Sequence, residues 1–203
     1  IFKANLKELV TVDRLGESRA RKLREKDTFI QAEKELEYCI KNDIRPLFMT
    51  SPAYPKRFMS CDDAPVLLYY KGNADLNASK VVAVIGTRKN SDYGQRATED
   101  LVAGLQGLEG VIVVSGLALG IDTIAHKTSL KHGLPTVGVV GHGLDIVYPS
   151  SNKSLAADMI SNGGVLTEFP SGTPLDRSNF PVRNRVVAGM SDITVLIESD
   201  IKG

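Results

Sequence analysis

Two arginines open an apolar helical run in the stretch NFPVRNRVVAGM, residues 179–190. A helix N-terminus carries partial positive charge and favours Asp or Glu. Arg183 and Arg185 therefore need either carboxylates of the fold or an anion from outside. At about 100° per residue, Arg183 shares a face with Val186, Val187 and Met190, while Arg185 points to nearly the opposite side. The two do not line one pocket as a simple pair: one reaches along the site, the other turns to solvent or the protein body. Further cations suited to the same chemistry are Arg88 and Lys89 in GTRKN, Lys153 in SSNKS and Arg177 in LDRSNF. Phe180 offers a ring on which a base can stack. An electropositive groove with an exposed aromatic suits single-stranded nucleic acid. Plainer roles stay open beside these: a buried ion-pair partner for Arg183, a core plug for Phe180, a solvated surface charge for Lys153.

Three acids, Asp122, Asp145 and Glu168, have the chemistry to hold Mg²⁺ or to move protons. They could equally accept backbone N–H bonds from glycine loops, with Asp122 capping the helix that begins in GIDTIAH. Ser115 lacks the G-x-S-x-G elbow of a serine hydrolase, and no serine or cysteine nucleophile stands beside His142. His126 falls mid-helix, and His132 precedes Gly133 at a helix C-terminus, where the dipole favours a cation. The set reads as a binding site, without turnover, cofactor or metal.

These residues meet if the chain folds as its patterning implies. Five continuous apolar runs, KVVAVIG, GVIVVSG, PTVGVVG, VLTEF and ITVLIE, begin about 25 to 30 residues apart. Such runs suit parallel strands buried on both faces and joined by crossover helices. The expected fold is α/β, an extended Rossmann-like, doubly wound, mostly parallel sheet over residues 45–203. Residues 1–44, rich in Leu, Glu, Lys and Arg, read as a small helical region broken around Gly16, in the manner of a helix-hairpin-helix or SAM-like element. Pro46, Pro52 and Pro55 mark an irregular connector, followed by a short strand in APVLLYYKGN.

In doubly wound sheets ligands bind outside the carboxyl ends of the strands. Gly86 and Thr87 lie there beside Arg88, as do Ser115, Gly116, Gly120 and Asp122, then Gly141, Gly143 and Asp145, then Glu168. Glycines let a backbone approach phosphate closely. The dinucleotide fingerprint and the Walker A sequence are nonetheless absent: Gly86 runs into Thr87-Arg88, and Ile146 takes the third glycine's place after Gly141 and Gly143. With 25 Lys and Arg against 24 Asp and Glu, the net charge is +1. That argues against a surface coated for duplex DNA and leaves room for a local basic groove. Cys39 and Cys61 are far apart, lack metal-ligand spacing, and read as reduced thiols of a cytoplasmic protein. No run approaches the roughly 18 apolar residues of a membrane span.

At its strand-end loops the sequence resembles the DprA/Smf family of DNA-processing proteins. The matching stretches are VAVIGTR (82–88), SGLALGIDTIAH (115–126), GLDIVYPSSN (143–152), GGVLTEFPSGTP (163–174) and NFPVRNRVVAGMS (179–191), with YPKRF and APVLLYYKGN leading in. The resemblance covers about residues 45–203, more weakly the part before. It implies a modified Rossmann domain that binds single-stranded DNA, usually as a homodimer. It further implies protection of incoming DNA in natural transformation and loading of the RecA recombinase, without catalysis. Family contacts carry onto Arg88, Phe180 and Arg177; the RNR stretch at 183–185 matches as a motif, and Lys153 is added on location alone. The family's sheet region normally continues past the last strand seen here, so the resemblance also implies a domain cut short at its C-terminal end. A second reading is a nucleotide-processing enzyme, a ribosyl-phosphate hydrolase of the lysine-decarboxylase-like group. NGGVLTE keeps that group's two glycines and Glu168 but lacks its phosphate-binding Gly-Thr, which ranks it second.

Overall fold

A computed structural model describes residues 3–23 and 26–199. By its internal packing the chain divides into two compact units, Ile1–Asn42 and Asp43–Gly203. The first holds three helices, α1 (Leu6–Val10), α2 (Glu17–Lys22) and α3 (Lys26–Lys41). Asn5 and Glu8 form a capping box on α1, each side chain accepting the other's backbone N–H, so two orphan donors are satisfied. The break expected at Gly16 is the N-cap of α2.

The second unit is a seven-stranded sheet of order β1-β2-β6-β5-β4-β3-β7. Its strands are β1 (Arg45–Phe48), β2 (Leu67–Gly72), β3 (Lys80–Gly86), β4 (Val111–Ser115), β5 (Thr136–Val139), β6 (Gly163–Thr167) and β7 (Ile193–Ile197). Strands β3 to β7 pair in parallel with one another, whereas β2 runs antiparallel to both β1 and β6. The proline-rich stretch differs from expectation. Instead of an irregular connector throughout, it yields β1 and a 3₁₀ turn at Lys56–Ser60. Pro46 is tolerated because β1 is an edge strand, where one backbone side has no neighbour to receive an N–H.

From β3 the chain steps through β4 and β5 to β6 in one direction, then returns to β7 on the far side of β3. Crossovers of one hand place helices of opposite steps on opposite faces. Accordingly α4 (Asp92–Gly104), α5 (Ile121–Lys131) and α6 (Lys153–Ser161) cover one face, and α7 (Asn179–Gly189) the other. Val82 and Val84 of β3 pack with Val102, Ile121 and Ala125 from α4 and α5. Val81 and Ala83 of the same strand pack with Val186, Val187 and the neighbouring Met190. Alternate residues of one strand thus feed two cores, which is why the run reads as continuously apolar. Asp192 pins the start of β7: it takes both Nε and Nη2 of Arg57 at 2.7 Å and the Val81 N–H at 2.7 Å.

The β2–β6–β5 region is close-packed around Gly163. This residue has φ +143°, and a Cβ would lie 1.8 Å from the Thr136 carbonyl oxygen. Its own carbonyl accepts the Tyr70 hydroxyl at 2.6 Å. Gly163→Ala must strain the backbone and displace β5 together, so a loss of at least about 3 kcal/mol is expected. Urea unfolding followed by circular dichroism reads it; an unchanged midpoint would contradict the packing of β5 on β6.

His126 of α5 is fully buried, with Nδ1 2.7 Å from Thr136 Oγ1 and Nε2 without a partner. Burial, reinforced by the charge of Arg183, pushes its imidazole from 6.5 down to about 3. Between those values the unfolded chain binds the proton that the fold refuses. The histidine's contribution is therefore whole above pH 6.5 and falls as acid is added. The stability advantage of wild type over His126→Gln is expected to shrink by about 2 kcal/mol between about pH 7 and 5. Paired urea titrations check this, and an advantage constant across the range would rule out a neutral buried imidazole.

Candidate nucleic-acid interface

Helix α7 begins without an acidic residue in its first turn and without a side-chain cap from Ser178. Its two arginines part as the helical period requires. Arg185 turns to the protein body: its Nη2 donates to the Glu168 carboxylate and its Nη1 to the Asp63 carbonyl at 2.5 Å. The Asp63 carboxylate stands 3.8 Å from its Nε. Glu168 follows β6 and Asp63 precedes β2, so Arg185 ties the helix to two neighbouring strand ends. Burial lifts the Glu168 carboxyl above its ordinary range, against the pull of Arg185.

Arg183 lies on the sheet side with Val186 and Val187, only 6% exposed. Its Nη1 donates to the Val139 carbonyl at the end of β5. Among the described residues it forms no ion pair, and its Nε is buried without a hydrogen-bond partner. Asp122, also 6% exposed, is its electrostatic counterpart. That carboxylate accepts the N–H groups of Gly116 at 3.1 Å and Ala118 at 3.2 Å. It is a brace for the loop after β4 and not the cap of α5, whose N-cap Gly120 has no side-chain bond. Gly116 fits between the two charges, since a Cβ there would lie 2.2 Å from Arg183 Nη1 and 2.6 Å from Asp122 Oδ2. Burial raises the Asp122 carboxyl while Arg183 opposes it; burial lowers Arg183, Asp122 opposes that, and the nearby charge of Arg88 lowers it further.

Arg88 is placed by the turn that leaves β3. The Thr87 N–H donates to the Glu198 carbonyl at 2.9 Å, and the Thr87 carbonyl accepts the Ile121 N–H at 3.2 Å. Gly120 makes this approach possible: its φ is +76°, and a Cβ would sit 2.3 Å from the Thr87 carbonyl oxygen. The guanidinium carbon of Arg88 then lies 5.6 Å from the ring centre of Phe180, a cation–π distance. Phe180 in turn faces Tyr148, ring centres 6.2 Å apart and planes inclined by 36°.

Two grooves follow from this placement. An inner one of about 710 Å³ is lined by Gly86, Thr87, Arg88, Lys89, Gly116, Asp122, Arg183 and Asn184, with apolar side chains of β7 and α7 beside them. An outer one of about 490 Å³ is lined by Arg88, Tyr148, Arg177, Phe180, Pro181 and Asn184. Arg88 and Asn184 belong to both, so the grooves adjoin along the carboxyl edge of the sheet. Of the cations singled out by sequence, Lys153 at the exposed start of α6 and Arg185 line neither groove.

The remaining strand-end residues hold loops. Ser115 is buried and donates to the Val84 carbonyl at 2.6 Å. Asp145 accepts the Gly172 N–H at 3.0 Å and abuts Gly143. Gly141 backs Phe180, a Cβ there lying 3.4 Å from its ring. His142 is buried, with Nδ1 2.8 Å from the Gly143 carbonyl, and burial holds its imidazole below the ordinary range. Sequence reasoning passes over Tyr148 and Asn184. Tyr148 carried a signal, an aromatic in the loop after a strand's carboxyl end; Asn184, between two arginines, carried none. Among the described residues no three potential ligands cluster as a metal site, and no helix is long and apolar enough to cross a membrane.

The family described as DNA recombination-mediator protein A matches residues 45–203. DNA processing protein DprA of Streptococcus pneumoniae is 42% identical over 150 residues, which are 73% of this chain and 52% of that protein. Protein Smf of Synechocystis is 37% identical over 163 residues, 77% of this chain and 41% of that one. The chain thus spans about half the length, or less, of these relatives. The X-ray structure of Streptococcus pneumoniae DprA aligns with a TM-score of 0.85 and 31% identity over 99% of this chain and 69% of that one. A structure addressing the single-stranded DNA binding mode of the Helicobacter pylori protein aligns at 0.71, also with 31% identity, over 79% and 71% of the two chains. Sequence and fold agree on one conclusion: this chain belongs to the DNA recombination-mediator protein A family, the DprA/Smf proteins.

Proposed function

We propose that the two adjoining grooves bind single-stranded DNA without regard to sequence, and that the chain serves a non-catalytic recombination mediator. The observation that carries this reading is the row of Arg88, Phe180 and Tyr148 along one edge. Cations neutralise phosphates whatever the bases, and rings accept the face of any unpaired base. A duplex hides those faces inside its own stack, so a ring platform favours the single strand. The Helicobacter pylori relative's single-stranded DNA binding supports the same reading. Protection of incoming DNA in natural transformation, loading of RecA, a homodimer and a cytoplasmic location belong to the proposal through the family resemblance. The acids support a binding role over the nucleotide-hydrolase alternative, since Asp122, Asp145 and Glu168 are each engaged by amides or by Arg185.

Fluorescence anisotropy with labelled oligo-dT across salt, beside a duplex of equal length, tests the proposal. Salt-sensitive binding that prefers the single strand is expected, and salt-independent binding or a preference for duplex would sink it. Arg88→Ala is expected to weaken binding to all single-stranded sequences alike and to lower the logarithmic salt slope by about 1. Unchanged slope and affinity would remove Arg88 from the interface.

Arg185→Ala should behave differently. This residue braces α7 and lines neither groove, so its loss is expected to reduce affinity while leaving the salt slope in place. A slope lowered as much as in Arg88→Ala would make Arg185 a phosphate contact instead.

A further inference from the structure

We infer that the inner groove seats a terminal phosphate of the strand, a phosphomonoester, in preference to an internal phosphodiester. The inference rests on the single-strand reading and adds to it a preference for one kind of strand end.

Depth is the first argument. Arg183 lines the inner groove yet is only 6% exposed. Its Nη1 is already engaged by the Val139 carbonyl. An internal phosphate offers two free oxygens, and both flanking sugars must descend with it to reach such a floor. A terminal phosphate offers three free oxygens on a single ester link and enters end-on. The chain it leads can then rest in the outer groove, which adjoins through Arg88 and Asn184.

Charge is the second. The groove is lined by Arg88, Lys89 and Arg183 against Asp122 alone among the acids. Asp122 is itself turned to the amides of Gly116 and Ala118. The excess of positive charge is matched better by a monoester, near −2 at neutral pH, than by a diester at −1. Arginine also meets phosphate oxygens through a planar fork of donors, and such charge-assisted bonds are about twice as strong as neutral ones. The Arg183 guanidinium is the fork that lines this groove.

The test compares three internally labelled oligo-dT strands, ending in hydroxyls, in a 5′-phosphate or in a 3′-phosphate, by anisotropy at fixed salt. One phosphorylated strand is expected to bind about tenfold tighter than the hydroxyl-ended one, the gain of one added charged hydrogen bond; which strand it is gives the polarity of entry. Equal affinity for all three would overturn the terminal-phosphate inference while leaving single-strand binding intact. Binding to none of them would overturn both. Arg183→Lys, which keeps the charge but loses the fork, is expected to lose most of the phosphate preference, read as the ratio of phosphorylated to hydroxyl-ended affinity within that variant. Full preference in that variant would also overturn the assignment. The wild-type comparison stands by itself should the variant fail to fold.

Discussion

A guanidinium buried beside a carboxylate with which it forms no ion pair organises the carboxyl edge of this sheet. Burying a charge costs several kcal/mol unless polar groups replace the lost water. Around Arg183 the replacements are the Val139 carbonyl at the end of β5 and the field of Asp122 in α5, and Gly116 after β4 leaves the guanidinium room to lie between them. Asp122 is held in turn by the amides of Gly116 and Ala118. The β3 turn joins the same assembly where Thr87 meets Gly120 and Ile121. Displacing Arg183 would loosen three strand ends and the start of α7 together.

The fold was legible because burial on both faces leaves continuous apolar runs, and crossover helices space them evenly. The separation of Arg183 from Arg185 was legible too, as it needs only the helical period. Their partners were not. Arg185 finds Glu168 17 positions away and Asp63 122 positions away, and no local pattern encodes pairings of that span. Pro46 misled for a related reason: a proline reads as a breaker until its strand is known to be an edge, which is a property of sheet order. Asp122 sits where a cap is expected, yet the amides of the preceding loop fold back over it. Tyr148 is one aromatic in a loop, without periodic neighbours to mark it.

Near-neutral composition and a cationic groove are compatible because the acids and bases are sorted by position. Glu168 and Asp63 neutralise Arg185 outside the grooves, and Asp192 holds Arg57 at the opposite end of β3. The cations left facing the inner groove, Arg88, Lys89 and Arg183, outnumber Asp122 there without making the protein basic. Ion pairs elsewhere in the fold therefore set the local potential as surely as the groove residues do. A protein of +1 net charge can present a focused attraction to polyphosphate.

The same sorting decides how the titratable groups at this edge are engaged. General acid–base catalysis needs a titratable group free to give or take a proton at the reacting atom. Burial does raise Asp122 and Glu168 above the ordinary carboxylate range, but Asp122 Oδ2 is held by the amides of Gly116 and Ala118 and Glu168 Oε2 by Arg185. His126 and His142 are buried and held neutral beneath the loops. The grooves are lined by the arginines Arg88, Arg177 and Arg183, by Lys89, and by the rings of Phe180 and Tyr148. Such groups supply charge and stacking, both indifferent to base identity. In the outer groove Asn184 is the lone side-chain amide among the lining residues. The proposed hold on a strand of any sequence would draw on charge and ring faces alike, neither of which depends on the bases.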